Sequence, residues 1–232
     1  MRCCLKFIER DKDGYPTLIK DQSRNVRVTE AIYDLYYETP GTLIYPAPSA
    51  MENELVKHFN DGNMLFYPNR FYSTEKFREM KDPYGIIPFP KLDETQEEYY
   101  ALVHDSTTLY CVPVTVKDLD LPCAVLEAMC AENYRTVTPA YYEVALKVKY
   151  TRDDISSRII DMIHENVRTD FAYVNTTSCT TQIKIGSIER SLMGMDSRTP
   201  SKDFMSLYDS IKDAAANDLQ NIIEKAKANV NN

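Results

Sequence analysis

Apolar residues recur along most of this chain at spacings that name their elements. Phe7-Ile8 and Tyr15 to Ile19 flank Asp13-Gly14, and Asp-Gly supplies the positive backbone angles of a tight hairpin turn, so two short strands are expected here. Val28, Ala31, Ile32 and Leu35 repeat at helical steps and Pro40-Gly41 stops the run, which predicts a helix over about 25–38. Ser49 and Glu52 form a capping box for a second helix whose Met51, Leu55, Val56 and Phe59 face one way and whose end is set by Gly62. Residues 63–67 read as a strand that runs into the polar and aromatic turn 68–72, and a short helix is expected over 74–80. Pro88 and Pro90 keep 84–90 extended, because each biases its predecessor away from helix.

From Tyr99 to Val116 the pattern is β-rich, and beyond it helices are expected throughout. Pro122 opens one that runs to about 133, with Val125, Leu126, Met129 and Cys130 inward. Pro139 opens another. Thr151 and Asp154 cap a third, with Ile155, Ile159, Ile160, Met162 and Ile163 on its apolar side. A Thr- and Ser-rich segment spans about 174–181, a short helix covers 187–193, and a long one from Ser201 to about 228 presents Phe204, Leu207, Ile211, Ala215, Leu219, Ile222 and Ile223.

Composition narrows the function classes. With 232 residues, 44% apolar and 27% charged, the chain can bury a sizeable core and is neither fibrous nor low-complexity. Its formal charge of −8 argues against a surface built to neutralise phosphates, so nucleic acid is not an expected partner. Only 6 glycines are present and none forms a phosphate-cradling loop. No apolar run reaches the ~18 residues of a membrane span, and the charged start leaves no room for a signal peptide. Cys3, Cys4, Cys111, Cys123, Cys130 and Cys179 make no metal-ligand spacing, so no metal or cofactor is expected. Cys123 and Cys130 share one helix face and read as small core residues.

Catalytic patterns are thin. Ser73-Thr74-Glu75-Lys76 spells SxxK, which would place a serine nucleophile one turn from a lysine base, but its companion motifs are missing. His58, His104 and His164 are isolated in sequence. The row His104-Asp105-Ser106 is no triad, because strand neighbours point to opposite faces. No catalytic residue is assigned, and the chain is expected not to be an enzyme.

Several segments together resemble the C-terminal half of the extracellular solute-binding proteins of ABC importers, the family of maltose- and oligosaccharide-binding proteins. Phe59-Asn60-Asp61-Gly62-Asn63-Met64-Leu65-Phe66 is similar to the family's F-x-x-G-x-x-x-F step, and Tyr84-Gly85-Ile86-Ile87-Pro88-Phe89-Pro90-Lys91 to its fGilPyPK crossing. Asp93 to Gln96 with Tyr99-Tyr100 follows in order. Val112-Pro113-Val114-Thr115 resembles its aIPkt strand, and Pro139 to Lys147 with Lys149-Tyr150 and Asp153 resembles the PaYYdvaLkxKyxxD helix of gut Firmicutes lipoproteins. The likeness runs from about residue 10 to 229. It implies a helix-rich α/β chain, the C-terminal half of a two-lobed, type II periplasmic-binding-protein fold. Residues 1–86 would belong to lobe two, 87–91 would be the hinge crossing, 92–150 the end of lobe one, and 151–232 a helical return to lobe two.

The same resemblance implies a binding component for a carbohydrate or other small polar solute, closing on it by hinge motion. Its site residues would be Tyr67, Asn69, Arg70 and Phe71 on one wall and His104, Asp105, Ser106 and Thr107 on the other. Tyr and Phe stack on sugar faces, while Asn, Asp and Arg fix hydroxyls with directional donors and acceptors. ABC permease subunits would be the partners of an extracellular, membrane-anchored parent. Since a full member starts with a lipoprotein signal and most of lobe one, this chain is expected to be a truncated form that binds weakly and self-associates through uncovered apolar edges. The alternative is a stand-alone protein-interaction module, and a Ser73/Lys76 hydrolase is the third reading.

Overall fold

Asp11 turns the chain at its first hairpin. In the computed structural model, which describes residues 5–44, 52–103, 110–113, 115–150, 154–177, 184–195 and 198–230, strand β1 (Ile8–Arg10) pairs antiparallel with β2 (Pro16–Leu18), Ile8 opposite Leu18. The Asp11 carboxylate accepts the backbone N–H of Asp13 and of Tyr15, both at 2.9 Å, and Gly14 takes φ 84°. The turn is not a two-residue Asp-Gly turn: the Gly14 N–H donates to the Asp11 carbonyl (3.0 Å) and the Asp11 N–H to the Tyr15 carbonyl (2.8 Å), so the loop is residues 12–14 with Gly14 at its left-handed last position.

Helix α1 (Ser23–Tyr33) buries Asn25, Val28, Thr29 and Ile32 and widens into a π-helical turn over Asp34–Glu38. Asn25 does more than fill space. Its Nδ2 donates to the Lys6 carbonyl (2.8 Å) and its Oδ1 accepts the Lys6 N–H (3.2 Å), so one buried amide satisfies both backbone groups of Lys6, just before β1. Helix α2 (Glu52–Asn60) ends as Gly62 requires: at φ 70° it lets Asn63 N–H reach the His58 carbonyl (2.9 Å) and its own N–H the Phe59 carbonyl (3.1 Å). Ser49, the expected cap of that helix, lies outside the described residues.

The rest is helix-rich with few strands. Strand β3 (Ala101–Leu102) pairs in parallel with β4 (Val167–Arg168). Helices α3 (Asp120–Glu132), α4 (Asp154–Glu165), α5 (Phe171–Thr177), α6 (Ile188–Leu192) and α7 (Phe204–Val230) follow, with π-helical turns over Asn133–Val137 and Ala140–Tyr150.

By contacts the chain divides into two compact units. One comprises Met1–Met51, Phe89–Asp105 and Asn166–Asn232, the other Glu52–Pro88 and Ser106–Glu165. The first holds the larger core. Leu5, Phe7, Val28, Ile32, Ile185, Ile188, Leu192, Phe204, Tyr208, Ala215 and Leu219 form one buried cluster, and Phe204 stacks between Phe7 (6.4 Å) and Tyr208 (5.7 Å). The α7 stripe read from sequence therefore faces this core, starting at Phe204 rather than Ser201. Gln96, also buried, ties 92–98 to α1: its Oε1 accepts from Arg24 (2.8 Å) and from the Leu92 N–H (3.3 Å), beside an Arg27–Asp93 ion pair.

The second unit is built on rings. Phe59, Tyr67, Phe77 and Tyr84 meet edge to face or tilted, with centroids 4.9–6.0 Å apart. Leu146 and Ile160 are fully buried. The extended 84–88 segment is held at Ile86, whose N–H donates to Ser156 Oγ at 3.0 Å.

Several expectations need correction. Residues 63–67 are not a strand: among the described residues no neighbour offers a ladder, Tyr67 turns into the ring cluster, and Leu65 and Phe66 point to solvent at 83% and 65% exposure. The β-rich reading of 99–116 contracts, among the described residues, to Ala101–Leu102, and Val167–Arg168 breaks the all-helical remainder. The helix expected over 74–80 is a 3-10 helix over Phe71–Phe77. Val125, Met129 and Cys130 on α3, and Ile155 on α4, are exposed rather than inward, and Cys123 with Cys130 are exposed free thiols, not core. Helix α3 is apolar on every side, so periodicity cannot choose its buried face.

Candidate functional site

The loop after α2 carries the densest polar and aromatic grouping among the sequence candidates. Tyr67 is anchored with its ring against Phe59 (5.8 Å) and Phe77 (5.7 Å), and its hydroxyl accepts the Asn69 Nδ2–H at 2.6 Å. Asn69 Oδ1 in turn accepts the Arg70 N–H at 2.8 Å. That pair of bonds sets the turn and aims Arg70 outward. Its guanidinium lies 5.2 Å from the centre of the exposed Tyr72 ring, which also carries the Lys76 ammonium at 5.3 Å. Lys76 Nζ donates to Glu52 Oε1 at 2.7 Å.

Charge follows from these contacts. The hydrogen bond from Lys76 holds the Glu52 carboxyl below its ordinary value, with the charges of Lys76 and Arg70 adding to it. Glu52 correspondingly raises the Lys76 ammonium. Burial pushes the Tyr67 hydroxyl up, so it stays neutral and hydrogen-bonding. The group is thus one carboxylate, two cations and one exposed ring over which both cations stand, able to offer Arg70 donors to a polar solute.

Of the eight site candidates, Tyr67, Asn69 and Arg70 come together here. Phe71 turns the other way, its ring 6.5 Å edge-on from Tyr142, which stacks on His164 at 4.1 Å. His104, Asp105, Ser106 and Thr107 lie outside the described residues. Sequence reasoning missed Glu52, Tyr72 and Lys76. Tyr72 was legible as the next aromatic of the same turn; the Glu52–Lys76 pairing spans 24 positions and no spacing rule reaches it. Ser73 is buried, and its hydroxyl has no partner among the described residues, Lys76 included. Lys76 is held protonated by Glu52, the opposite of what a base needs.

A shallow depression of about 320 Å³ in the first unit is lined by Ser191, Arg198, Thr199, Ser201, Asp203 and Ser206. Its hydrogen-bonding groups serve the start of α7: Ser201 Oγ accepts the Asp203 N–H and Asp203 Oδ1 accepts the Ser206 N–H, each at 3.0 Å. Among the described residues no group of three or more His, Cys, Asp and Glu side chains could hold a metal ion. Comparison with known proteins finds no matching family model, no similar curated protein and no similar solved structure.

Proposed function

We propose that this chain is a solute-binding component of an ABC importer, taking a carbohydrate or similar small polar solute. On this reading the fold is the C-terminal half of a two-lobed periplasmic-binding-protein fold, with residues 87–91 as its hinge and permease subunits as partners outside the cell. The resemblance of ordered motifs supports it. The observation that carries it is the pairing of Arg70 with the exposed Tyr72 ring, braced by Asn69 and Tyr67. A guanidinium steadied by an aromatic ring presents the directional donors that fix the hydroxyls of a sugar.

The test is an amide-resolved NMR titration with a panel of mono- and oligosaccharides. One sugar should shift the resonances of 67–76 with a dissociation constant of about 1 mM, near −4 kcal/mol, and Arg70→Ala or Tyr72→Ala should weaken it tenfold or more. Shifts scattered over the surface, or none with any sugar, would sink the proposal. The second reading, a protein-interaction module, is favoured by the apolar side chains that α3 exposes.

A further inference from the structure

Two cations stand over the Tyr72 ring, and they are not alike. The Lys76 ammonium is engaged by Glu52 at 2.7 Å. Arg70 is exposed, and among the described residues no carboxylate pairs with it and no acceptor takes a guanidinium N–H. Its backbone N–H is held by Asn69 Oδ1 at 2.8 Å, which fixes the turn, while the ring contact uses the guanidinium's charge and leaves its five donors open. Glu52 feels the charge of Arg70 as well, yet within the group of Glu52, Arg70, Tyr72 and Lys76 one positive charge is left over.

We propose that the solute taken at this loop is an acidic sugar, a uronate, whose carboxylate is received by the Arg70 guanidinium. The inference rests on the solute-binding reading and narrows its substrate class. A planar fork of N–H donors matches the two oxygens of a carboxylate, and such charge-assisted pairs are stronger than a neutral hydroxyl contact.

The charge distribution agrees. Residues 68–78 carry Arg70, Lys76 and Arg78 against Glu75 alone, inside a chain of formal charge −8. A local positive excess on an acidic chain favours an anion at that place. Glu52, the carboxylate that would repel one, is neutralised by Lys76. The single leftover charge also selects among anions: a carboxylate carries one negative charge, whereas a phosphate ester carries about −1.5 to −2 at pH 7 and would stay partly unmatched.

The experiment is an amide-resolved titration of the full chain with paired sugars, glucuronate against glucose and galacturonate against galactose, and with acetate and glucose 6-phosphate as further probes. A uronate should shift the resonances of 67–76 and bind at least about fivefold more tightly than its neutral parent in about 20 mM salt, and the preference should shrink at about 200 mM as the pair is screened. Arg70→Gln, which keeps a donor and removes the charge, should bring uronate and parent to within about twofold, while Arg70→Lys, a charge without the fork, should keep part of the preference. Should Arg70→Gln lose the native spectrum, Arg70→Lys and the salt dependence of the unaltered chain decide. A neutral sugar bound as tightly as its uronate, or a preference that survives Arg70→Gln, overturns the inference and leaves the solute reading standing. Acetate equal to the uronate, or glucose 6-phosphate bound more tightly than it, overturns the inference too. Shifts with no sugar, acidic or neutral, overturn both.

Discussion

The Lys76 ammonium lies 2.7 Å from Glu52 Oε1 and 5.3 Å from the centre of the Tyr72 ring. One cation thereby joins the first residue of α2 to the 3-10 helix over Phe71–Phe77. Both partners of the ion pair are only about a quarter exposed, so it should exceed an ordinary surface pair modestly. Glu52→Gln should lower stability by about 1 kcal/mol in urea denaturation at pH 7. The pH dependence has a definite sign. Glu52 is depressed in the folded state, so its contribution is complete above the unfolded value of about 4.5 and is lost as pH falls through the lower folded value. Equal stability of wild type and Glu52→Gln at pH 7 would show that the pair does nothing for the fold.

Gly194 and Gly14 both take positive φ, 67° and 84°, yet they should respond differently to alanine. At Gly194 an added Cβ would lie 2.9 Å from both the Arg198 carbonyl oxygen and Pro200 Cγ, while at Gly14 nothing lies within 4 Å. Gly194 also ends α6, letting the Met195 N–H reach the Arg190 carbonyl at 2.8 Å. Gly14→Ala should cost about 1 kcal/mol, the conformational term alone. Gly194→Ala should cost at least about 2 kcal/mol, because strain and overpacking add. Chemical denaturation of the two variants side by side checks the order, and the reverse order would contradict the close approach.

Asp170 begins α5, its Oδ1 accepting the Tyr173 N–H at 2.7 Å, and it lines a cavity of about 10 Å³ with Glu189 and Leu5. Burial raises its carboxyl above the usual value, despite that hydrogen bond and the nearby Lys6 charge. A raised folded value means that the group favours folding most below the unfolded value of about 3.8 and progressively less as pH rises through the folded one. Asp170→Asn keeps the cap and removes the charge. It should be more stable than wild type at pH 7, with the difference closing towards pH 3. Thermal midpoints of both proteins between pH 3 and 8 measure it, and a less stable variant at pH 7 would reverse the assigned sign.

Ile160 is fully buried on α4. Ile160→Ala should cost about 2–4 kcal/mol by removing methyl groups and leaving a cavity. Ile155 on the same helix is exposed, and Ile155→Ala should change stability by less than about 0.5 kcal/mol. The comparison tests which face of α4 is inward, which periodicity alone assigned to both residues.

Local rules determined much of this chain. Asp13-Gly14 fixed a hairpin, Gly62 ended α2 in the expected geometry, and the apolar stripe of α7 named its buried side, because turn angles and helical period depend on neighbours a few residues away. The loop 67–70 was legible as a polar and aromatic turn for the same reason. Other features needed partners distant in sequence. Whether 63–67 became a strand depended on a ladder that no neighbour among the described residues supplies, and Tyr67 went to Phe59 and Phe77 instead. Lys76 met Glu52 across 24 positions, and Asn25 met the Lys6 backbone across 19. The exposure of α3 was likewise a tertiary outcome: a helix apolar all round carries no internal sign of which side is covered, so burial there is decided only by what packs against it.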